Sequence, residues 1–336
     1  MFNYSYVSKA WQAISVLAML FLFSGCATKP PNMTWQKVQP ACGDLIARLD
    51  INIDREHVRD VQNMRIKAFP MLRSNRFWSS YSHALNTEKK ASFWLNQLEK
   101  LALTDWDIEK NNLQVSSQTQ LETWAQKNFH QSVHEALHQC MQQTHAFRLQ
   151  HLAEIIVASQ VPDDYQMWKR TLGIYPLTAL PFLMGVHHWH DEAKSNFQKP
   201  LKYGLSDLHY HLAKSLNSGD KQPLFQNEHS SKNPLHIPLP NASETTRLLN
   251  YFSPQISILL GLQADYLGEI KINAAGQIIH VKKPVVYTHI SHTRWQGKAL
   301  LQLNYVFWFP ERPKTSSFDL LGGKLDGLIW RVTLDE

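Results

Sequence analysis

The spacing of apolar residues divides the chain into a helical first part and a β-rich last part. In residues 91–102, apolar positions recur every three or four residues, as on one face of an amphipathic helix, and Thr87 precedes them as an N-cap. Similar spacing predicts one long helix that a capping box opens at Ser117 and that runs to about Ser159. The apolar stretch 172–186 contains two prolines, which predicts a buried, broken helix.

From about residue 265 the pattern changes to short segments rich in β-branched and aromatic residues. Residues 266–272 and 277–281 flank a turn sequence ending at Gly276, which predicts a β-hairpin. Alternation predicts three further strands, over residues 285–293, 299–309 and 325–334. The predicted fold class is α+β, a helical N-terminal region followed by a C-terminal antiparallel β-sheet.

These patterns predict five segments. They are a lipoprotein signal peptide (1–25), a tether (26–42), a helical domain (43–220), a linker with a connecting helix (221–264) and an antiparallel β region (265–336). In the first, Lys9 precedes an apolar run over residues 11–23, which is shorter than the roughly 20 residues that cross a bilayer. In the helical domain, Ser206 and Asp207 open a further predicted helix, which Gly219 closes.

The end of the leader carries a candidate modification site. Residues 23–26 (FSGC) resemble the lipobox of bacterial lipoproteins, with Phe23 where leucine is usual. This resemblance implies that Cys26 becomes the N-terminal residue and carries palmitate or a related acyl chain. Ala27 follows instead of aspartate, which favours an outer-membrane location facing the periplasm. An uncleaved membrane anchor is the alternative, and it also places the body outside the cytoplasm.

The net charge indicates which partners to expect, and the cysteine content indicates a possible disulfide. The formal net charge of +6 falls to +5 when Lys9 leaves, and the basic residues are dispersed among acidic ones. Nucleic acid is therefore not an expected partner, whereas a membrane is, through the N-terminal lipid. Cys42 and Cys140 remain after the leader, and either a disulfide or two buried thiols would fit an oxidising compartment.

Residues 134–138 (HEALH) match the H-E-x-x-H pattern of zinc peptidases. His134 and His138 lie one helical turn apart and could bind one zinc ion, with Glu135 as the general base. However, no third ligand follows at a usual spacing, and the histidines lie at the rim of an apolar stripe. The preferred interpretation is an ordinary amphipathic helix without a cofactor, and a zinc-dependent hydrolase or peptidase is the alternative.

Polar residues in the predicted strands suggest a second candidate site. His292 and Arg294 share one face of their strand, and Gln302 and Asn304 share one face of the next. If these sets coincide with Arg331 in the third strand, the five side chains form a cationic patch that suits a carboxylate or phosphate ligand. A solvated outer face of the sheet is the alternative.

Five segments resemble a family of proteobacterial envelope proteins whose activity is uncharacterised. They are residues 161–165 (VPDDY), 173–178 (GIYPLT), 289–295 (HISHTRW), 303–313 (LNYVFWFPERP) and 325–334 (LDGLIWRVTL). The resemblance implies an envelope location but no catalytic residue. It also implies that family members continue past the last strand into a segment with cysteine and histidine, so we expect the sheet here to be incomplete and the reading frame truncated.

Together these observations predict an outer-membrane lipoprotein that binds a ligand or maintains the envelope. The zinc-dependent hydrolase remains the enzymatic alternative. A subunit that scaffolds an envelope complex is a third class, supported by the 11 tryptophans of the chain.

Overall fold

The computed structural model describes residues 39–66, 68–162, 175–198, 207–210, 233–259, 265–272, 278–314 and 322–335. Its helices lie mainly in the N-terminal half and its largest antiparallel sheet at the C-terminal end, which confirms the predicted α+β class. The chain divides into two compact units, Met1–Ser74 with Leu98–Ser159, and Asn75–Gln97 with Gln160–Glu336. The predicted leader, Cys26 and the tether up to residue 38 lie outside the described residues, as does the linker from 221 to 232.

In chain order, the described α-helices are α1 (Pro40–Glu56), α2 (Arg76–Ser79), α3 (Glu88–Asn112), α4 (Val115–Phe129), α5 (Val133–Gln143), α6 (His145–Gln150), α7 (Leu152–Ala158), α8 (Tyr175–Gln198) and α9 (Ala242–Tyr251). The strands are β1 (Met64–Arg65), β2 (Arg73–Ser74), β3 (Asp207–Tyr210), β4 (Ile256–Leu259), β5 (Glu269–Ile272), β6 (Ile278–Val281), β7 (Tyr287–Trp295), β8 (Lys298–Arg312) and β9 (Gly323–Leu334). Among these helices, none combines the length and the apolarity needed to cross a bilayer.

The first unit has a helical core. Apolar residues of α1 recur at helical spacing, at Leu45, Ile46, Leu49 and Ile53, and all four are buried. They belong to one cluster with Trp106 of α3 and with buried residues of α4 and α5. The apolar stripe that the sequence predicts along α5 is buried in this cluster, so the pattern located the core face of α5 correctly.

The single long helix predicted over residues 117–159 is wrong, because the segment divides into α4, α5, α6 and α7. His130 ends α4 in the left-handed conformation, with φ of 56°. Thr144 and His151 separate the later helices, and each side chain donates to the carbonyl four residues earlier, at 2.7 and 2.8 Å respectively. Such bonds compete with regular helical bonding, so the breaks need no glycine or proline. Ser117 does not open a helix, since α4 already begins at Val115.

Of two local sequence predictions in the second unit, one is confirmed and one is wrong. Thr87 caps α3 as predicted, because its Oγ1 accepts a bond from Lys90 N at 3.3 Å. The helix predicted to open at Ser206 and Asp207 is wrong over Asp207–Tyr210, which forms β3 and pairs with Ile256–Leu259. A partner strand distant in the chain decides this conformation, and local sequence does not contain that information.

Of the stretch 172–186 predicted as a buried, broken helix, residues 175–186 belong to continuous α8, and most of the side chains described from 179 onward are exposed. Pro176 fits because it lies in the first helical turn, where a backbone N–H has no helical acceptor. Pro181 lies deeper in the helix but removes only one backbone donor. Both parts of the prediction, the break and the burial, are therefore wrong.

The main sheet has the order β7-β8-β9, and both pairings are antiparallel. Gln296 and Gly297 join β7 to β8 and have φ values of 49° and 84°, as the tight I′ type of hairpin turn requires. One face of the sheet is apolar and packs with α9, in a cluster of Leu248, Leu267, Leu301, Leu303, Tyr305 and Phe307. The hairpin predicted near Gly276 is confirmed by the pairing of β5 with β6, and its turn lies outside the described residues.

Candidate functional site

The HEALH segment begins helix α5 and is engaged in capping it. Ser132 is the N-cap, and its Oγ accepts a bond from Glu135 N at 3.3 Å. In return, Glu135 Oε2 accepts a bond from Ser132 N at 3.0 Å, which completes a capping box. These bonds from Ser132 lower the pKa of Glu135 below its usual value. The carboxylate proposed as a general base thus stabilises the start of the helix.

The two histidines of this segment lie together, His134 exposed and His138 half-buried. The ring centroids of His134 and His138 are 4.6 Å apart, and His134 Nδ1 lies 2.9 Å from Asp107 Oδ1. Across the described ranges, no group of three or more His, Cys, Asp or Glu side chains is arranged to hold a metal ion. The described residues provide two neighbouring rings here without a completed ligand set.

Cys42 and Cys140, which the sequence left open between two states, form a disulfide. It joins α1 to α5 inside the helical core, with a Cα–Cα distance of 5.5 Å. The bond closes a loop with a sequence separation of 98, so it restricts the unfolded chain over much of the first unit.

A group of buried charges in the first unit was not predicted from the sequence. Arg73 is wholly buried, with Nε 3.7 Å from Asp105 Oδ2 and Nη2 3.9 Å from Glu109 Oε2. Arg65 Nη2 also pairs with Glu109 Oε1, at 3.2 Å. Burial raises the pKa of Asp105 to about 6. Because these pairs join β1 and β2 to α3 within the unit, we assign the group to packing.

His292 and Arg294 contact the segment that begins at Asn75, on the apolar side of β7. The ring of His292 stacks on Phe77 with centroids 5.1 Å apart, and its Nε2 donates to Pro238 O at 2.6 Å. Burial lowers the pKa of His292. Arg294 Nη1 donates to Ser80 O at 2.7 Å, and its guanidinium lies 4.6 Å from the Tyr81 ring centroid.

The predicted five-residue cationic patch is therefore wrong in its composition. In the observed register, His292 faces Leu301 and Arg294 faces Ala299, so both lie on the opposite face of the sheet from Asn304. Alternation identifies which residues of one strand share a face, but it does not identify which face of the neighbouring strand joins them.

The polar side chains that do meet come from all three strands. Asn304 of β8 faces His289 of β7 and Arg331 of β9, while Gln302 faces Ser291 and Thr333. Asn304 is fully buried and donates through Nδ2 to Ser291 Oγ at 2.9 Å and to His289 O at 3.2 Å. Arg331 Nε donates to Asn304 Oδ1 at 2.7 Å. We call these six residues the sheet network.

Two further bonds complete the sheet network. Ser291 Oγ donates to Gln302 Oε1 at 3.2 Å, and Gln302 Nε2 donates to Thr333 Oγ1 at 3.2 Å. Burial and the charge of Arg331 together lower the pKa of His289, which disfavours the charged form of its ring. Arg331 is then the cation of the sheet network.

No carboxylate among the described residues forms an ion pair with Arg331. In the first unit, by contrast, three buried or half-buried arginines, Arg65, Arg73 and Arg148, each form an ion pair with a carboxylate. Arg331 is exposed and hydrogen-bonded through Nε, and within the described part of the chain its Nη1 and Nη2 donate to no acceptor. With respect to the described residues, the guanidinium therefore keeps two donor groups for a ligand.

The second unit also contains a shallow cavity of about 290 Å³, which polar side chains line. Arg76, His83 and Ser82 contribute to its wall, and the Oγ of Ser82 is buried without a described hydrogen-bond partner. Ser80, which accepts the bond from Arg294, lies at the same cavity. Such a lining suits a small polar molecule. Arg294 is not part of the lining, because its guanidinium donates to the backbone carbonyl of Ser80.

Comparisons of this chain with protein-family models, with curated proteins and with solved structures found no match in any of the three. The function must therefore be inferred from the chemistry of its own residues.

Proposed function

We propose that this protein is an outer-membrane lipoprotein, acylated at Cys26 and facing the periplasm, that binds an anionic ligand at the sheet network. The lipobox-like residues 23–26 support the anchor. The observation that carries the binding role is that Arg331 is positioned by Asn304 while no described carboxylate neutralises it.

The position of Arg331 favours binding over a freely moving surface charge. Its Nε bond to the buried Asn304 restricts the guanidinium before a ligand arrives, so less side-chain entropy is lost on binding. A planar guanidinium presents paired N–H groups that match the two oxygens of a carboxylate or phosphate. The hydroxyl of Thr333, which faces Gln302 in the register, adds a polar group nearby.

Isothermal calorimetry on the full chain carrying Cys26→Ser tests this role. The probes are dihexanoyl phosphatidylglycerol, which supplies a phosphodiester, and a soluble peptidoglycan peptide, which supplies carboxylates. We expect one of these probes to bind, and Arg331→Gln to weaken that binding roughly 10- to 100-fold, as the loss of one or two charge-assisted hydrogen bonds implies.

Arg312→Gln is the matched control, because Arg312 is an exposed arginine of β8 outside the sheet network. It should leave the affinity unchanged. Failure of both probes to bind, or equal losses in the two variants, would refute the binding role.

A further inference from the structure

The middle of α8 exposes the largest run of apolar side chains in the described part of the chain. Leu180, Phe182, Leu183, Met184 and Trp189 are each between 51% and 72% exposed. Exposure of this extent is costly in water, because burial of large apolar side chains stabilises a protein. Such a surface requires an apolar partner.

The apolar side chains spread over roughly 220° of the helix circumference instead of forming one narrow stripe. At about 100° per residue, Leu180 and Met184 project to one side and Phe182 and Trp189 to the opposite side, with Leu183 between them. A groove on another protein covers one face of a helix. Hydrocarbon chains of lipid can contact every side, so the distribution favours a lipid partner.

The absence of charged residues and the length of this part of α8 also favour a lipid partner. No Asp, Glu, Lys or Arg lies between Tyr175 and His190, whereas Asp191, Glu192 and Lys194 follow directly. Trp189 lies among His187, His188 and His190, between the apolar run that ends at Val186 and the charged end of α8, and tryptophans are enriched at such borders on membrane surfaces. At 1.5 Å per residue, the rise from Leu180 to Trp189 is about 14 Å, close to half of the ~30 Å hydrocarbon core.

We propose that residues 180–189 of α8 insert into one leaflet of the membrane to which the protein is tethered. This inference rests on the proposed membrane anchor and adds a second contact with the same lipid surface. Acylation and helix insertion would act together, because the anchor holds the body at high effective concentration next to the bilayer.

Vesicle flotation with the mature chain, residues 26–336 carrying Cys26→Ser, tests the helix without the acyl chain and without the apolar leader. The vesicles contain only phosphatidylcholine, whose zero net charge minimises any contribution from Arg331. We expect this protein to float with the vesicles. Adding Leu180→Gln, Phe182→Gln and Met184→Gln should reduce the bound fraction at least tenfold.

The matched control carries Val61→Gln, Val115→Gln and Val157→Gln, at positions of the first unit that are between 74% and 90% exposed. It should float as the parent protein does. All six substitutions lie at exposed positions, and an unchanged circular dichroism spectrum will verify folding in each variant.

The inference is overturned if the parent protein stays with the soluble fraction, or if both triple variants float equally. It is also overturned if gel filtration shows that the three α8 residues instead hold a dimer together. None of these results depends on palmitate at Cys26 or on anion binding at Arg331, so failure here is distinguishable from failure of the proposed function.

Discussion

Replacing Asp105 by asparagine tests the energetics of the buried charges in the first unit. Burial raises the pKa of Asp105 from 3.8 to about 6, although Arg73 acts in the opposite direction. The folded protein therefore holds this proton more tightly than the unfolded chain does. The contribution of Asp105 to stability is complete below about pH 4 and is lost as the pH rises through about 6. At 1.36 kcal/mol for each unit of pKa difference, the loss is about 3 kcal/mol.

Asparagine cannot ionise, but its Oδ1 can still accept the 2.9 Å bond that Asn63 Nδ2 donates. Urea unfolding of both proteins between about pH 4 and pH 8, with the disulfide intact, measures the difference in their free energies of unfolding. Relative to the wild type, Asp105→Asn should gain about 3 kcal/mol from pH 4 to pH 7 and little above that.

Asp44→Asn provides the control for the substitution itself, because Asp44 is exposed on α1 in the same unit, and it should change the free energy of unfolding by about 0.5 kcal/mol or less. A relative stability of Asp105→Asn that stays flat, or that falls as the pH rises, would refute the assignment of this carboxyl.

Three further predictions concern the helical core and the HEALH segment. Cys42→Ala with Cys140→Ala should lower the free energy of unfolding by about 4–5 kcal/mol in urea titrations, given the loop separation of 98; two free thiols in the unreduced wild type would contradict the bridge. Ser132→Ala should cost about 1 kcal/mol in the same titrations, because α5 loses its N-cap; an unchanged stability would contradict the capping role. Elemental analysis should find no stoichiometric zinc, since Glu135 is engaged in the cap; stoichiometric zinc that His134→Ala removes would instead support the peptidase alternative.

The register of the sheet explains why its network could be predicted only in part. Alternation correctly grouped Gln302 with Asn304, and the observed register joins them to Arg331. Alternation did not indicate which face of β7 joins the sheet network. The observed register shows that His289 and Ser291 do so, whereas His292 and Arg294 do not.

The turn between β7 and β8 contained a sequence signal that predicts this register. Reading Gln296 and Gly297 as a two-residue hairpin turn places Trp295 opposite Lys298, and counting back from that pair places His289 opposite Asn304. The two residues of the turn therefore determine which face of β7 joins the network.

The buried charges had no comparable signal. Arg73 looks in the sequence like a solvent-facing residue, and its burial depends on Asp105 and Glu109, which lie on a helix distant in the chain. The same limit applies to β3, whose partner strand lies in Ile256–Leu259. Local periodicity identified the buried faces of α3 and α5 well because those faces depend only on spacing along one helix.

The most direct test of the whole account is the modification of Cys26. The wild-type chain and Cys26→Ser should be expressed with their leaders in a Gram-negative host that is fed radiolabelled palmitate, and the mass of each purified protein should be measured. We expect a labelled wild-type protein that begins at acylated Cys26, and an unlabelled, unprocessed Cys26→Ser protein. An unlabelled wild type, or a serine variant that is still labelled or still loses its leader, would contradict it.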